Sequence, residues 1–171
     1  MKRLFIVFGG VVLFLGAVTL LIPATRTASH VASLPAARKH IFQVATRIED
    51  QSWRPSVDSV RVHKSDDGQE EWTEVSKDGH ELLFKTINKV EPEYFEIEFS
   101  GSPSIRGHWS GRFIEQAENE TRVEFTETVT AGSLPSKVLS YLFFDLDATL
   151  DDYINDLKNH LEGESHEQAS R

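Results

Sequence analysis

Hydrophobic and polar residues alternate through the middle of the chain, from Ser56 to Ala131. Six segments there show the period of two that is typical of half-buried strands, and short turns rich in Gly, Pro, Asp and Asn separate them. The segments are residues 56–65, 69–77, 80–90, 93–100, 105–116 and 121–131. Because each connection is short, neighbouring segments are predicted to pair as an antiparallel meander.

Other periods flank these six segments. Residues 25–33 are predicted as a short strand, and residues 36–50 have apolar positions at the spacing of an amphipathic helix. A longer helix is predicted from Pro135 to Leu161, because one stripe carries Leu139, Leu142, Phe143, Leu146, Leu150, Ile154, Leu157 and Leu161. The sequence therefore predicts an α+β protein in which this helix covers the apolar face of the sheet.

The chain begins with a long apolar segment. Residues 4–22 carry no charge, and as a helix they would be roughly 28 Å long, close to the ~30 Å hydrocarbon core of a membrane. A cleaved secretory signal is the alternative, but its apolar region is usually about 7 to 15 residues long. We therefore predict one N-terminal transmembrane helix. Lys2 and Arg3 favour a cytoplasmic N-terminus, which places the rest of the chain on the periplasmic or extracellular side of the cell membrane.

The net charge of the chain disfavours some classes of binding partner. The formal net charge is −9, and because Lys2 and Arg3 are the only charges before Arg26, the chain beyond residue 23 carries −11. Such a surface repels phosphate backbones and anionic lipids, which argues against nucleic acid as a partner. The chain has no cysteine, which excludes thiolate metal sites and thiol nucleophiles. We predict a cytoplasmic start and anchor at 1–23, a folded domain at 24–163 and a polar tail at 164–171.

Five stretches together resemble the START-like, or SRPBCC, superfamily of polyketide cyclase/dehydrase and lipid-transport proteins. They are the Leu34-Pro35 helix start, SWRPSVDSV from Ser52, RGHWSGRF from Arg106, ENETRVEFTETV from Glu118 and LDDYINDLKNHLEG from Leu150. The resemblance implies a helix-grip fold, in which a curved antiparallel β-sheet wraps around the long C-terminal α-helix and leaves an apolar cavity. It also implies a hydrophobic small molecule or lipid as the ligand, and some members catalyse cyclisation or dehydration.

Alternation sorts the residues that would line such a cavity. In the strand that starts at Ile105, Trp109 and Phe113 share the inner face with Gly107 and Gly111, and the missing side chains indicate sheet curvature or room for a ligand. The outer face of the same strand carries Arg106, His108 and Arg112. The predicted ligand-binding residues are Trp53, Trp72, Phe84, Phe95, Phe99, Trp109, Phe113, Phe125, Glu127 and Phe143.

The roles of two of these residues have two possible interpretations. Glu127 is a charged residue on the apolar face of its strand, so it is either turned to water at a bulge or strand end, or buried as a polar group in the cavity. Trp53 lies just before Pro55, which favours an extended backbone and so the start of the next strand. Trp53 either packs as a plug at one end of the cavity or contacts the ligand.

The predicted function is the binding of a hydrophobic small molecule or lipid by a membrane-anchored domain. A cyclase- or dehydratase-like enzyme is one alternative, and it requires at least two ionisable residues converging in the cavity, where alternation places Glu127 alone. A protein-interaction module is the other, and it predicts a filled cavity with no void above ~300 Å³. The sequence shows no metal-ligand spacing, nucleophile elbow or phosphate loop, so we predict no catalytic residue, metal or cofactor. The ligand's identity and the oligomeric state stay open.

Overall fold

The computed structural model describes residues 23–63, 69–101, 104–143 and 145–169, without the side chains of residues 139, 142, 143 and 167–169. The transmembrane helix predicted at residues 4–22 lies outside the described residues. Within the described ranges, no helix is both long and apolar enough to cross a membrane.

Seven strands form one antiparallel sheet. They are β1 (Thr25–Leu34), β2 (Val57–His63), β3 (Glu71–Ser76), β4 (Glu81–Val90), β5 (Tyr94–Ser100), β6 (Ile105–Ala117) and β7 (Glu120–Ala131). Their spatial order is β1-β7-β6-β5-β4-β3-β2, which confirms the predicted meander and places the first strand beside the last. Gly79 has a φ of 85° and supplies the left-handed residue of the tight turn between β3 and β4.

The two faces of the sheet follow the predicted alternation. Along β6, Trp109 and Phe113 are buried on the inner face, and the outer face carries Arg106, His108 and Arg112. The Nε2 atom of His108 lies 2.6 Å from Oε1 of Glu96, an outer-face residue of the neighbouring strand β5. These ionisable groups therefore do not point into the core.

Three helices accompany the sheet: α1 (Arg38–Thr46), α2 (Leu134–Phe143) and α3 (Leu146–Ala169). The prediction of one uninterrupted helix from Pro135 to Leu161 was wrong, because the helix is interrupted between α2 and α3. Asp145 caps the start of α3. Its carboxylate accepts the backbone N–H of Ala148 at 3.2 Å, and its carbonyl accepts the hydroxyl of Thr149 at 2.8 Å. Such an aspartate cap satisfies a backbone donor that a helix start leaves unpaired.

The last helix also extends further than the sequence predicts. α3 passes Leu161 and Gly163 and ends at Ala169, so the predicted boundary of the polar tail at residue 164 falls inside a helix. Glu164 ties this added length to α1, because its carboxylate lies 2.7 Å from Nε2 of His40 and 3.3 Å from Nε2 of His160. Tertiary contacts thus stabilise this polar segment as a helix.

The helices close the inner face of the sheet over a hydrophobic core. α3 packs against β1, β7 and α1, and α1 also contacts β6. Phe42 of α1 meets Phe113 edge-to-face, with 5.2 Å between the ring centroids. Fully buried side chains fill this end of the molecule, and each contributes about 1.5–3 kcal/mol of transfer free energy: Leu34, Ile41, Phe42, Val123, Phe125 and Leu157.

Polar contacts fasten the edge strand β1 to the helices. Both ring nitrogens of His30 are bound by α3: Nε2 lies 3.1 Å from Asp147 and Nδ1 lies 2.7 Å from Asp151. The hydrogen bond with Asp147 is the largest cause of a raised pKa for His30, which burial opposes. Arg26 donates to the carbonyl of Ser140 in α2 at 2.9 Å. β1 therefore holds both C-terminal helices against the sheet.

Candidate functional site

A cavity of about 280 Å³ lies between the inner face of the sheet and the first half of α3. Because α3 packs mainly on β1 and β7, the inner faces of β3, β4 and β5 are left to line this space. Ser56 and His80 belong to the lining and are exposed, so the cavity reaches solvent beside them. Most of the wall is apolar, and its aromatic members are Trp72, Phe84, Phe95, Phe99, Trp109 and Tyr153.

The aromatic rings of the wall pack on one another. Trp72 and Phe84 are stacked, with 5.4 Å between their centroids, and Phe84 lies 5.5 Å from Phe99. On the other side, Trp109 lies 5.7 Å from the ring of Tyr153 in α3. These contacts give the cavity a semi-rigid aromatic lining.

Nine of the ten predicted ligand-binding residues fall into three groups, and the tenth, Trp53, is a case of its own. Trp72, Phe84, Phe95, Phe99, Trp109 and Glu127 line the cavity. Phe113 and Phe125 are buried in the filled end of the core and do not belong to the lining, because α1 and neighbouring rings cover them. The side chain of Phe143 lies outside the described part of the chain.

Trp53 packs at one end of the cavity without lining it. Its ring meets Tyr153 edge-to-face at 5.2 Å, and the imidazole of His160 lies 6.4 Å away. Its indole N–H is buried and has no hydrogen-bond partner among the described residues. Of the two predicted roles, the contacts match the plug, because Trp53 packs on Tyr153, which does line the cavity.

The two inner glycines of β6 accommodate aromatic rings of the protein itself. A Cβ added at Gly107 would lie 1.9 Å from Cζ of Phe99, and one at Gly111 would lie 2.6 Å from Cη2 of Trp109 and 3.0 Å from the ring of Phe125. The room that these glycines create is therefore taken by side chains of the core.

We expect Gly107→Ala to lower the free energy of unfolding by about 1–3 kcal/mol, because the Phe99 ring must leave its place in the wall. Gly163→Ala is the matched control: nothing lies within 4 Å of the added carbon, and the position is inside α3. That change should raise the free energy of unfolding by roughly 0.5–1 kcal/mol. Urea unfolding measures both, and a Gly107→Ala variant as stable as the wild type would contradict the packing described here.

Glu127 is buried in the cavity wall rather than turned to water. It lies in the middle of β7, opposite Trp109 in β6 and Ala28 in β1, and it is only 7% exposed. Its carboxyl group accepts no hydrogen bond from the described residues. Burial raises the pKa of Glu127 to about 7, and the charge of Arg54 opposes this shift. The group can therefore gain or lose a proton near neutral pH.

An ion pair that the sequence analysis missed forms a second polar element of the wall. Nη1 of Arg54 lies 3.0 and 2.9 Å from the two carboxylate oxygens of Glu74, and the indole N–H of Trp72 donates to Glu74 at 3.1 Å. Gln51 accepts a third contact from Arg54 at 3.2 Å. Alternation in β3 offered a signal for Glu74, since it shares the face of Trp72, whereas Arg54 lies between a helix and a strand where no period applies.

Tyr153 adds a phenol to the ionisable side chains that lie inside the cavity. The guanidinium carbon of Arg54 lies 5.5 Å from the centre of its ring, within the range of a cation–π interaction. Burial raises the pKa of Tyr153 to about 12, so its hydroxyl stays protonated at neutral pH. The cavity therefore brings together a carboxyl group, a guanidinium–carboxylate pair and a phenol. Among the described residues, no group of three His, Asp or Glu side chains has the arrangement of a metal site.

The described residues have the helix-grip fold: a curved seven-stranded antiparallel sheet with a long C-terminal helix across its inner face. No family model matches the sequence, and the search of curated proteins finds no match. Solved structures do match. A START superfamily protein from Mycobacterium smegmatis has a TM-score of 0.64 at 12% identity, covering 80% of this chain and 97% of its own.

Two further matches extend the comparison to enzymes. Truncated norcoclaurine synthase from Thalictrum flavum has a TM-score of 0.63 at 10% identity, covering 80% of this chain and 93% of its own. The Zhui aromatase/cyclase from Streptomyces sp. R1128 has a TM-score of 0.62 at 12% identity, covering 81% of this chain and 94% of its own. At such identities the matches show a common fold, and function has to be argued from the cavity.

Proposed function

We propose that the protein binds a small hydrophobic molecule in the cavity between the sheet and α3. The observation that carries the proposal is a concave, mostly apolar wall that opens to solvent and contains a few convergent polar groups. This combination is typical of small-molecule sites. Apolar burial supplies affinity at about 25 cal/mol per Å², and Glu127 and Arg54 orient the ligand.

The volume of the cavity sets the size of the ligand. An apolar cavity of about 150 Å³ holds a benzene molecule, so a space of about 280 Å³ suits a molecule of one or two rings. A whole membrane lipid or a sterol would require the aromatic wall to open. The volume also lies below ~300 Å³, the upper bound that the interaction-module hypothesis predicts, so the size of the cavity fits that alternative as well. The Leu82→Trp experiment distinguishes the two.

We further propose that residues 4–22 anchor the domain in the cell membrane, with the N-terminus in the cytoplasm. In support, β1 begins at Thr25, so three peptide units separate it from residue 22 and hold the domain within roughly 11 Å of the bilayer. A hydrophobic site at that distance is well placed to receive an apolar molecule from the membrane. Recovery of the full chain in the soluble fraction of the cell would contradict the anchor.

Catalysis on the bound molecule is the second candidate function. The enzyme hypothesis requires at least two ionisable residues in the cavity, and the lining contains Glu127, Arg54 and Tyr153. A carboxyl group whose pKa is about 7 suits general acid–base chemistry at neutral pH. The reaction class would be a cyclisation or dehydration that moves a proton at a carbonyl compound, with Glu127 transferring the proton and Arg54 binding the oxygen.

Two neighbouring leucines of β4 allow a matched test of binding. Leu82 belongs to the cavity wall, whereas Leu83 is 41% exposed on the other face. We expect Leu82→Trp to fill the cavity and Leu83→Trp to leave it open. The full chain and both variants are purified from membranes, and the molecules that co-purify are identified by native mass spectrometry. A molecule carried by the wild type and Leu83→Trp but not by Leu82→Trp would support the proposal. Three identical profiles would favour the interaction module.

A further inference from the structure

The buried carboxyl group of Glu127 forms no hydrogen bond or ion pair among the described residues, although the charge of Arg54 acts on it. Only 7% of the surface of Glu127 is exposed, and it lines the cavity. Its neighbours on the inner face are Ala28 and Trp109. Ionising an unpaired carboxyl group in an apolar wall is unfavourable unless a positive charge comes close. The wall therefore holds a group that a cationic ligand would stabilise.

The aromatic lining favours the same kind of ligand. Trp72 and Phe84 stack along one side, and Trp109 and Tyr153 approach each other on the other side. The faces of aromatic rings carry negative partial charge and attract cations within about 6 Å of the ring centre. Arg54 over the Tyr153 ring, at 5.5 Å, shows that this wall already accommodates one cation in that way.

Arg54 does not neutralise the negative charge around the cavity. Its guanidinium is engaged by Glu74 at 2.9 and 3.0 Å, and its charge also acts on Glu127 and on Asp156 of α3. Asp152 adds to the negative potential at Asp156. Asp152 and Asp156 do not line the cavity, but within the lining the one guanidinium of Arg54 serves both Glu74 and Glu127, so a second positive charge is electrostatically favoured and a carboxylate ligand is not.

We propose that the cavity binds a small organic cation, an amine attached to one or two rings, with its ammonium group on Glu127 and its rings against the aromatic wall. This inference rests on the proposed binding function and names the chemical class of the ligand. The ammonium group donates to the free carboxylate oxygens, and the rings displace water from the apolar lining. The volume of about 280 Å³ limits the ligand to this size.

Three probes of nearly equal shape test the charge of the ligand: 2-phenylethylamine, 2-phenylethanol and 3-phenylpropanoate. Their affinities for the full chain in detergent are measured by titration calorimetry at pH 8. We expect the amine to bind at least about tenfold more tightly than the alcohol, and Glu127→Gln to abolish that preference. Glu124→Gln is the matched control, because it makes the same chemical change on the outer face of the same strand. Leu82→Trp should remove binding of every probe.

Several outcomes would overturn the inference while sparing the proposed function. They are equal affinities for amine and alcohol, an amine preference that survives in Glu127→Gln, and tightest binding of the propanoate, which would assign recognition to Arg54. Binding of none of the probes would also overturn it. In that case the co-purification profiles of the Leu82→Trp and Leu83→Trp variants decide separately whether the cavity binds a small molecule of another class.

Discussion

At pH 8 to 9 the free energy of unfolding of the Glu127→Gln variant is expected to be about 3 kcal/mol higher than that of the wild type. Burial raises the pKa of Glu127 from its ordinary 4.5 to about 7, so the folded state binds this proton more tightly than the unfolded state. The contribution of the protonated carboxyl group to the free energy of unfolding is fully present below pH 4.5. It falls as the pH rises to about 7 and then stays low. Glutamine cannot ionise, so the variant escapes this loss.

Urea unfolding of both proteins between pH 4 and pH 9 measures the effect. The advantage of Glu127→Gln should be near zero at pH 4 and should grow across the interval up to pH 7. His30 also has a raised pKa, but it is present in both proteins and cancels in the difference. Glu124→Gln, on the half-exposed outer face, should show no comparable trend. An advantage that does not change with pH would show that Glu127 is not the source.

Removing Arg54 is expected to cause the largest loss of stability. Arg54→Met should lower the free energy of unfolding by about 3 kcal/mol, because it leaves the Glu74 carboxylate buried and unpaired beside Trp72. The side chains of Arg54 and Glu74 are only 21% and 10% exposed, so solvent screens them weakly. Urea unfolding at pH 7 measures the loss, and the double variant Arg54→Met/Glu74→Gln should recover much of it.

The exposed pair of Arg61 and Glu81 supplies the control. Its N–O distance of 2.7 Å is shorter than that of the buried pair, yet both side chains are 57% exposed. Arg61→Met should therefore change the free energy of unfolding by less than about 1 kcal/mol. Equal losses in Arg54→Met and Arg61→Met would contradict the role assigned to burial.

Local periodicity predicted the sheet and the orientation of its residues correctly. In β6 the alternation of Trp109 and Phe113 with Arg106 and Arg112 needed no information from other strands, because neighbouring side chains of a strand point to opposite faces. The apolar side of a sheet must then be covered, and the buried stripe of α3 from Leu146 to Leu161 identified the cover.

The composition of the cavity depends on distant contacts, and these were harder to predict. Arg54 lies in a segment without a period, and it lines the cavity because Glu74, twenty residues later, binds it there. Tyr153 was predictable in part, since it lies three residues after Leu150 and four before Leu157 on the same side of the helix. The size of the cavity escaped prediction, because it depends on Phe99 filling the space above Gly107.

The break between α2 and α3 was hidden by the continuity of the apolar stripe. Leu142 and Leu146 keep helical spacing across the break, so the hydrophobic pattern alone favours one helix. The signal against it was Asp145, whose carboxylate satisfies a backbone donor of a new helix and so stabilises a start inside the apparent stripe.

The pairing of the first strand with the last determines the order in which the sheet can be assembled during synthesis. Ser33 of β1 binds Glu120 of β7, 87 positions later, and the strands between them must emerge from the ribosome first. At about 5–20 residues per second, β1 waits roughly 4 to 17 seconds for its partner. β2 to β6 can pair with their sequence neighbours as they appear, whereas β1 is the first strand to be made and the last to find its place.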